Sequence, residues 1–438
     1  MAGKDAWSQI GTQVNTCALT GAAAFFAGIP DAAIVINGPL WCYFYALRYL
    51  ERTYPAIMKR CFSTQPDDSS VVYGTEECLL ETLAIVQQTM RPSVLFIENS
   101  CSISLIGDDI AGIASSANLA YPVVCLDSGG LSGGFWEGYE AAADAYFKTL
   151  APPKSIAVES GRVNLLGCTP SYYNGSNDIE EIKRLLHLAG YKIGPCPGAG
   201  STVEAMQSIG AAECNLVIHG ELGLKLAKTL QQLYKTPYTA PLPPYGIEGT
   251  IRWLQSIEFA IKSPVGSGKI TAELTKVQQS KKVAVGEMQR VWGEPWFDHI
   301  LLAAPSSVAF GIAEALQNEW VDTGSLTVLP HDAASCYSPP ATVNTIFSAD
   351  KDERAIIDYF SCWSSGLILG SSQEKSLLQK ERVGTAVFQN IAFPIYDEVL
   401  FHNRPFMGLR GFCHMTERLW NHYIALCQQD DRKNIQTF

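Results

Sequence analysis

The chain has 438 residues, 47% of them hydrophobic and only 17% charged, with a formal net charge of -11. That length exceeds one ordinary core and implies two or three domains, and the small charged share implies extensive buried interface. An acidic balance without a Lys/Arg stripe excludes binding of nucleic acid by phosphate neutralisation, and the uncharged stretch from Ala6 to Pro30 is too broken by Gln9, Gly11, Asn15, Gly21 and Gly28 to span a membrane.

Short apolar runs recur, each followed by a turn and a helix-period segment, the rhythm of a parallel α/β sheet. The first unit is predicted over residues 1–151, with strands at Ala32–Ile36, Val94–Ile97 and Val123–Leu126 and helices at Glu76–Gln88, Asp108–Ala117 and Trp136–Leu150. Pro152 and Pro153 punctuate the chain there. The second unit, residues 152–265, has strands at Arg162–Gly167 and Asn215–His219 and helices at Ile179–Ala189 and Gly249–Ile261. A Lys-rich linker near Ser263–Lys282 leads to the third unit, residues 266–390, with strands at Lys282–Val285, His299–Ala303, Leu326–Leu329 and Gly366–Leu369. Residues 391–438 depart from the rhythm: a Phe-Pro-Ile-Tyr-Asp turn, a glycine-rich link and a long helix that folds back on the first unit or meets a partner. The expected fold class is α/β, with three Rossmann-like domains of parallel sheets and no fixed-period repeat.

Several motifs carry chemistry. Gly130-Leu131-Ser132-Gly133-Gly134 matches the G-x-S-x-G nucleophile elbow between a strand and a helix, so a hydrolase using Ser132 with His299, His331, His402 or His414 is one reading. The bland alternative is a glycine-rich turn. Gly266-Ser267-Gly268-Lys269 resembles the end of a P-loop, but Ile270 stands where Ser or Thr must hold magnesium, so ATP hydrolysis falls to another protein. Asp108 and Asp109 open a helix, where acidic side chains cap free amides. His219 ends a strand, the place where ligands of parallel sheets gather, although a lone histidine there is more often a hydrogen-bonded core residue.

Cys17, Cys42 and Cys101, among thirteen cysteines, each stand where a strand-like run ends or a glycine-rich turn begins. Thiolates suit iron–sulfur clusters or zinc, and a cubane needs about four such ligands, so three imply a cluster completed by a partner chain. Buried apolar thiols are the alternative. The odd cysteine count and the lack of an export signal pattern predict a reducing, cytoplasmic setting.

The surroundings are more specific than the thiols. Cys17 is followed by Gly21, Gly38-Pro39 precedes Cys42, Val72-Tyr73-Gly74 comes later, and Ser100-Cys101 leads into Leu105-Ile106-Gly107-Asp108-Asp109-Ile110. This pattern resembles component 1 of nitrogenase and its relatives, and Phe393–Asp397 with Gly408–Gly411 resembles the carboxyl-terminal segment of the β subunits. The resemblance implies three Rossmann-like domains, an α-like partner in an α2β2 heterotetramer, and an ATP-dependent iron protein that delivers electrons. It implies that Cys17, Cys42 and Cys101 bind an iron–sulfur cluster of the P-cluster type [8Fe-7S], or [4Fe-4S], at the subunit boundary, with Ser128 as a further ligand.

Departures from the family pattern refine this. His219 occupies the place of the α chain's cofactor-binding cysteine and Pro394 lies near that of its histidine, so the catalytic cofactor is expected in the partner. Cys17 stands where the corresponding subunit of protochlorophyllide reductase presents an aspartate. The expectation is a β-like electron-relay subunit of a nitrogenase-like reductase acting on dinitrogen or a methylthio-alkane; the alternatives are a cofactor-assembly scaffold and the Ser132 hydrolase.

Overall fold

Alternate residues of the run Ala32–Asn37 bury in different directions. Ala32, Ile34 and Ile36 join the main core, whereas Ala33 and Val35 pack with Leu79, Leu83, Val86, Leu95 and Ile97 on the other side. Both faces are covered, as a continuous apolar run in a parallel sheet demands. The structure is a computed structural model that describes residues 16–435 apart from 154–155, 262–267, 333–335, 349–357, 360–364, 381–384 and 396.

The first part of the chain runs α1 (Ala18–Ala27), β1 (Ala32–Asn37), α2 (Leu40–Leu50), β2 (Cys61–Ser63), α3 (Asp68–Tyr73), α4 (Glu76–Thr89), β3 (Val94–Asn99), α5 (Cys101–Ile106), α6 (Ile110–Ser116), β4 (Val123–Asp127) and α7 (Phe135–Thr149). Its strands pair in parallel in the order β2-β1-β3-β4. Next come β5 (Glu159–Leu166), α8 (Gly175–Leu188), β6 (Lys192–Ile193), α9 (Val203–Met206), β7 (Ala212–Val217), α10 (Gly220–Tyr234), β8 (Tyr238–Thr239) and α11 (Gly246–Ala260), with sheet order β6-β5-β7-β8. The third sheet, β11-β10-β9-β12-β13, is built from α12 (Gly268–Trp292), β9 (Trp296–Ala304), α13 (Ser306–Ala315), β10 (Asp322–Pro330), β11 (Thr345–Ile346), β12 (Ser365–Gly370), α14 (Ser372–Lys380) and β13 (Thr385–Asn390), and α15 (Gly408–Ile435) follows. The fold is α/β with three parallel sheets, as the apolar runs predict.

Three local expectations are corrected. Lys282–Val285 is no strand: it lies inside α12, where Val277 and Val285, about two turns apart, are buried while Val283 is exposed. The Lys-rich stretch is helical from Gly268 onwards, and the rest of that stretch lies outside the described residues, as do Gly266 and Ser267 of the P-loop-like run. What precedes that run is the helix α11, not a strand.

The predicted helix Asp108–Ala117 is found as α6, Ile110–Ser116, separated from α5 by Gly107, whose φ of +81° is one that glycine adopts without strain. Asp109 caps α6 through the Gly112 N–H at 3.0 Å, while Asp108 turns away to accept from the Thr75 N–H and hydroxyl at 2.6 and 2.7 Å. Finally, α15 packs against α8, α11, α12 and β13 rather than on the first sheet. The turn before it reaches back, with the Phe393 ring tilted against Tyr49 at a centroid distance of 5.5 Å.

The start of α1 is fixed by one close helix pair. A Cβ on Gly21 of α1 would lie 1.8 Å from the Phe135 carbonyl oxygen, and one on Gly138 of α7 would lie 1.9 Å from that of Ala18. Only glycine permits the two backbones to touch in this way.

Candidate cluster site and interdomain pocket

Three strand ends converge on the thiols. The Asn37 side chain at the end of β1 donates to Asn99 Oδ1 at the end of β3 (3.0 Å), and Asn99 donates to Asp127 Oδ1 at the end of β4 (2.8 Å). Thr64 joins the frame by donating to Asn37 Oδ1 (2.9 Å) and accepting from the Gly38 N–H (3.1 Å). Each strand end leads directly to a site element. Cys42 follows β1 in the first turn of α2, Cys101 follows β3 as the first residue of α5, and Gly129-Gly130 follow β4.

The glycines bring these segments together. Gly129 sits so close to the Cys101 backbone that a Cβ would lie 2.8 Å from its Cα. The Gly130 N–H donates to Cys101 Sγ at 2.8 Å, and a Cβ on Gly130 would lie 3.2 Å from the Cys17 Cβ. Cys17 arrives from the other side, at the start of α1: it forms an isolated antiparallel bridge with Gly134, and Ala18 donates to the Gly133 carbonyl at 3.0 Å.

Cys17 is exposed and Cys42 and Cys101 are half-buried. Burial pushes the Cys42 thiol up, and the neighbouring Cys17 and Cys101 push it the same way. Among the described residues no three His, Cys, Asp or Glu side chains converge on a point suited to a single metal ion. The donor set, three thiols with an N–H directed at the Cys101 sulfur, has the soft-ligand chemistry that suits an iron–sulfur group or zinc.

Ser128 stands beside this cradle, buried, with its hydroxyl donating to Glu98 Oε2 at 3.1 Å. Glu98 is fully buried and burial drives its carboxyl well above the usual range. Ser128 thus precedes the Gly129-Gly130 turn that packs on Cys101, with its oxygen engaged inward.

Large apolar side chains lie exposed on the same segments: Leu40, Trp41, Phe44 and Tyr45 around Cys42, Leu105 after Cys101, and Leu131 after Gly130. Trp41 is 68% and Tyr45 65% exposed. Sequence reasoning passed over this rim, although the run Leu40-Trp41-Cys42-Tyr43-Phe44-Tyr45 is a visible signal for it.

A second feature lies where the three sheets meet. A small pocket of about 40 Å³ is lined by Tyr49, Trp136, Tyr172, His219, His331 and Phe393, among others. His219, Pro305, His331 and Ile391 all follow the carboxyl ends of strands, where parallel sheets place their ligands. His219 is buried, two residues beyond β7, with Nδ1 2.7 Å from Ser307 Oγ.

The elbow reading finds no support. Ser132 lies exposed in the single turn Gly130–Ser132, and the named histidines are placed elsewhere. His299 pairs with Ser325, His414 with the Pro405 carbonyl and His331 with Glu374, and His402 is exposed beyond β13. The glycines of this motif serve the packing of Cys17 and Cys101. No helix among the described residues is long and apolar enough to cross a membrane.

A profile of the family described as nitrogenase component 1 type oxidoreductase matches residues 17–423. The chain is 24% identical over 284 residues to the nitrogenase iron-molybdenum cofactor biosynthesis protein NifE of Clostridium pasteurianum, covering 64% of this chain and 59% of that protein. It is 28% identical over 195 residues to a subunit of the light-independent protochlorophyllide reductase of Rhodopseudomonas palustris, covering 42% and 36% of the two chains. The chain thus spans only about half the length of the curated relatives it matches. In fold it is similar to a solved structure titled nitrogenase Cp1 at pH 6.5, with a TM-score of 0.73 at 14% identity over 95% of this chain and 93% of the other. The chain belongs to the nitrogenase component 1 type oxidoreductase family.

Proposed function

We propose that this chain is a β-like subunit of a nitrogenase-like reductase complex, with Cys17, Cys42 and Cys101 as its ligands to an iron–sulfur cluster shared with an α-like partner. The observation that carries the reading is the gathering of three thiols from three separate segments on one exposed edge, framed by hydrogen-bonded strand ends. A cluster of the [8Fe-7S] P-cluster type, or [4Fe-4S], supplies low-potential electron storage when bound there. The chain's own part is to fix three sulfurs, to direct the Gly130 N–H at one of them, and to leave the outer side open. Ser128 is the further candidate ligand, and to serve it must leave Glu98.

The rim of Trp41, Phe44, Tyr45, Leu105 and Leu131 suits the α-like subunit, since aromatic side chains are enriched in protein interfaces. In this reading the complex is an α2β2 heterotetramer, an ATP-dependent iron protein supplies electrons, and the catalytic cofactor, acting on dinitrogen or a methylthio-alkane, lies in the partner. The test is anaerobic purification of the chain with its neighbouring α-like subunit. Iron and acid-labile sulfide in the complex, lost in Cys101→Ala, are the expected result; a colourless, iron-free complex would sink the proposal.

The similarity to proteins named for cofactor biosynthesis favours a second reading, a scaffold on which a cofactor is assembled. A scaffold complex would carry iron and sulfide but reduce nothing when given the iron protein and ATP.

A further inference from the structure

The ends of β3 and β4 are stitched together twice. Strand alternation sends Glu98 and Asn99 to opposite faces of β3. On one face Asn99 donates to Asp127 Oδ1 at 2.8 Å. On the other, the hydroxyl of Ser128, which directly follows β4, donates to Glu98 Oε2 at 3.1 Å. Glu98 stands in the middle of the sheet, in register with Ile36 of β1 and Leu126 of β4, and two residues from Phe96, so it shares the face that packs into the main core.

A carboxyl is out of place there. Glu98 is 0% exposed, and its Oε1 has no hydrogen-bond partner, so among the described residues the Ser128 hydroxyl is the group that holds this acid. If Ser128 turned away, the whole carboxyl would be buried without a hydrogen bond, a state that forfeits its hydration and gains nothing in return. The acid therefore ties down the hydroxyl.

Two further observations keep that oxygen from the open edge. Ser128 is 1% exposed, whereas Cys17 is exposed and Cys42 and Cys101 are half-buried, so the hydroxyl does not share the opening that the thiols face. The residue that follows is closely packed as well. A Cβ on Gly129 would lie 2.8 Å from both N and Cα of Cys101, so a backbone shift that turned Ser128 outward would press on Cys101.

We propose that Glu98 withholds Ser128 from the iron–sulfur cluster, so that this chain offers it three thiolates and no oxygen. The proposal rests on the cluster reading and assigns Ser128 a place outside the ligand set. Glu98 is a positioning residue: it acts through Ser128, and no proton or electron moves. Every ligand beyond the three thiolates must then come from the partner chain.

The test uses the anaerobically purified complex of the chain with its α-like subunit, read by iron and acid-labile sulfide content and by Mössbauer spectra of the reduced and dye-oxidised forms. Ser128→Ala is expected to reproduce the parent content and both spectra. Glu98→Met is similar in size and lacks the acceptor, so it frees the hydroxyl, and the oxidised spectrum is expected to shift at one iron. Adding Ser128→Ala to Glu98→Met should restore the parent spectrum. Glu98→Gln, which keeps an acceptor oxygen, should never lose it. Glu98→Leu takes the place of Glu98→Met if the latter melts early. A spectrum altered by Ser128→Ala alone, one unmoved by the apolar substitution of Glu98, or a shift that Ser128→Ala does not reverse would each overturn the proposal and leave the cluster reading standing. A parent complex without iron would overturn the cluster reading, and this proposal with it.

Discussion

The thiol edge and the interdomain pocket are opposite solutions to placing polar atoms in an apolar fold. At the edge, three sulfurs are left partly or fully open, and order comes from close backbone contacts at glycines and from strand ends tied by Asn37, Asn99 and Asp127. In the pocket, acids and imidazoles are buried and the order comes from side chains bonded to one another. The first arrangement leaves room for something to complete it; the second bonds its polar atoms to one another.

The contrast breaks first at the sulfurs. Cys101→Ala removes a thiol and the acceptor of the Gly130 N–H, and iron in the purified complex should fall to background, while thermal unfolding of the chain moves little because the side chain is half-buried. Retention of stoichiometric iron would remove Cys101 from the ligand set. Next in size is the backbone contact that holds Cys17. Gly138→Val places new carbons against the Ala18 carbonyl, and about 3 kcal/mol or more of stability should be lost. A variant melting within about 1 °C of the parent would show that α1 and α7 can separate freely.

Asp178, on the pocket wall, sharpens the other half. Its Oδ1 accepts from the Phe406 and Met407 N–H groups at 2.6 and 2.9 Å, yet burial pushes its carboxyl up to about 7. Its folded pKa thus lies above the ordinary carboxylate value of about 3.9. Between those values the folded state binds the extra proton, so stability should fall as pH rises from about 4 to 7 and level off above, by roughly a few kcal/mol. Asp178→Asn keeps an acceptor oxygen and should flatten that part of the curve; an unchanged slope in denaturant titrations would assign the dependence elsewhere. The smallest effect on the chain itself is expected at the rim. Trp41→Ser with Tyr45→Ser should leave unfolding within about 0.5 kcal/mol of the parent, yet weaken association with the α-like subunit about tenfold or more. Unaltered association in a sedimentation assay would free this face from the interface.

Much of this was legible before any coordinates. The apolar runs at Ala32, Val94, Val123, Leu326 and Gly366 read as strands because parallel strands buried on both faces are continuous in hydrophobicity. Val283-Ala284-Val285 misled because a β-branched pair looks the same in a strand and on a solvated helix, and only packing of α12 decides. The three cysteines could be singled out from their turns, but their proximity depends on the α1–α7 contact and on Gly129-Gly130, which join residues far apart in sequence. The buried hydrogen-bond network around Glu221 was illegible for the same reason: His219 and Glu221 are two residues apart in the chain, but Ser307 and Tyr172 reach them through the meeting of separate sheets.

The three thiols do not hang from one support. Cys42 and Cys101 leave adjacent strands of a single hydrogen-bonded lattice, whereas Cys17 is held by the bridge to Gly134 and the helix contact behind it. Two sulfurs therefore depend on the sheet and the third on the helix pair, so a substitution that loosens the α1–α7 contact displaces Cys17 and leaves the strand ends that carry Cys42 and Cys101 in register.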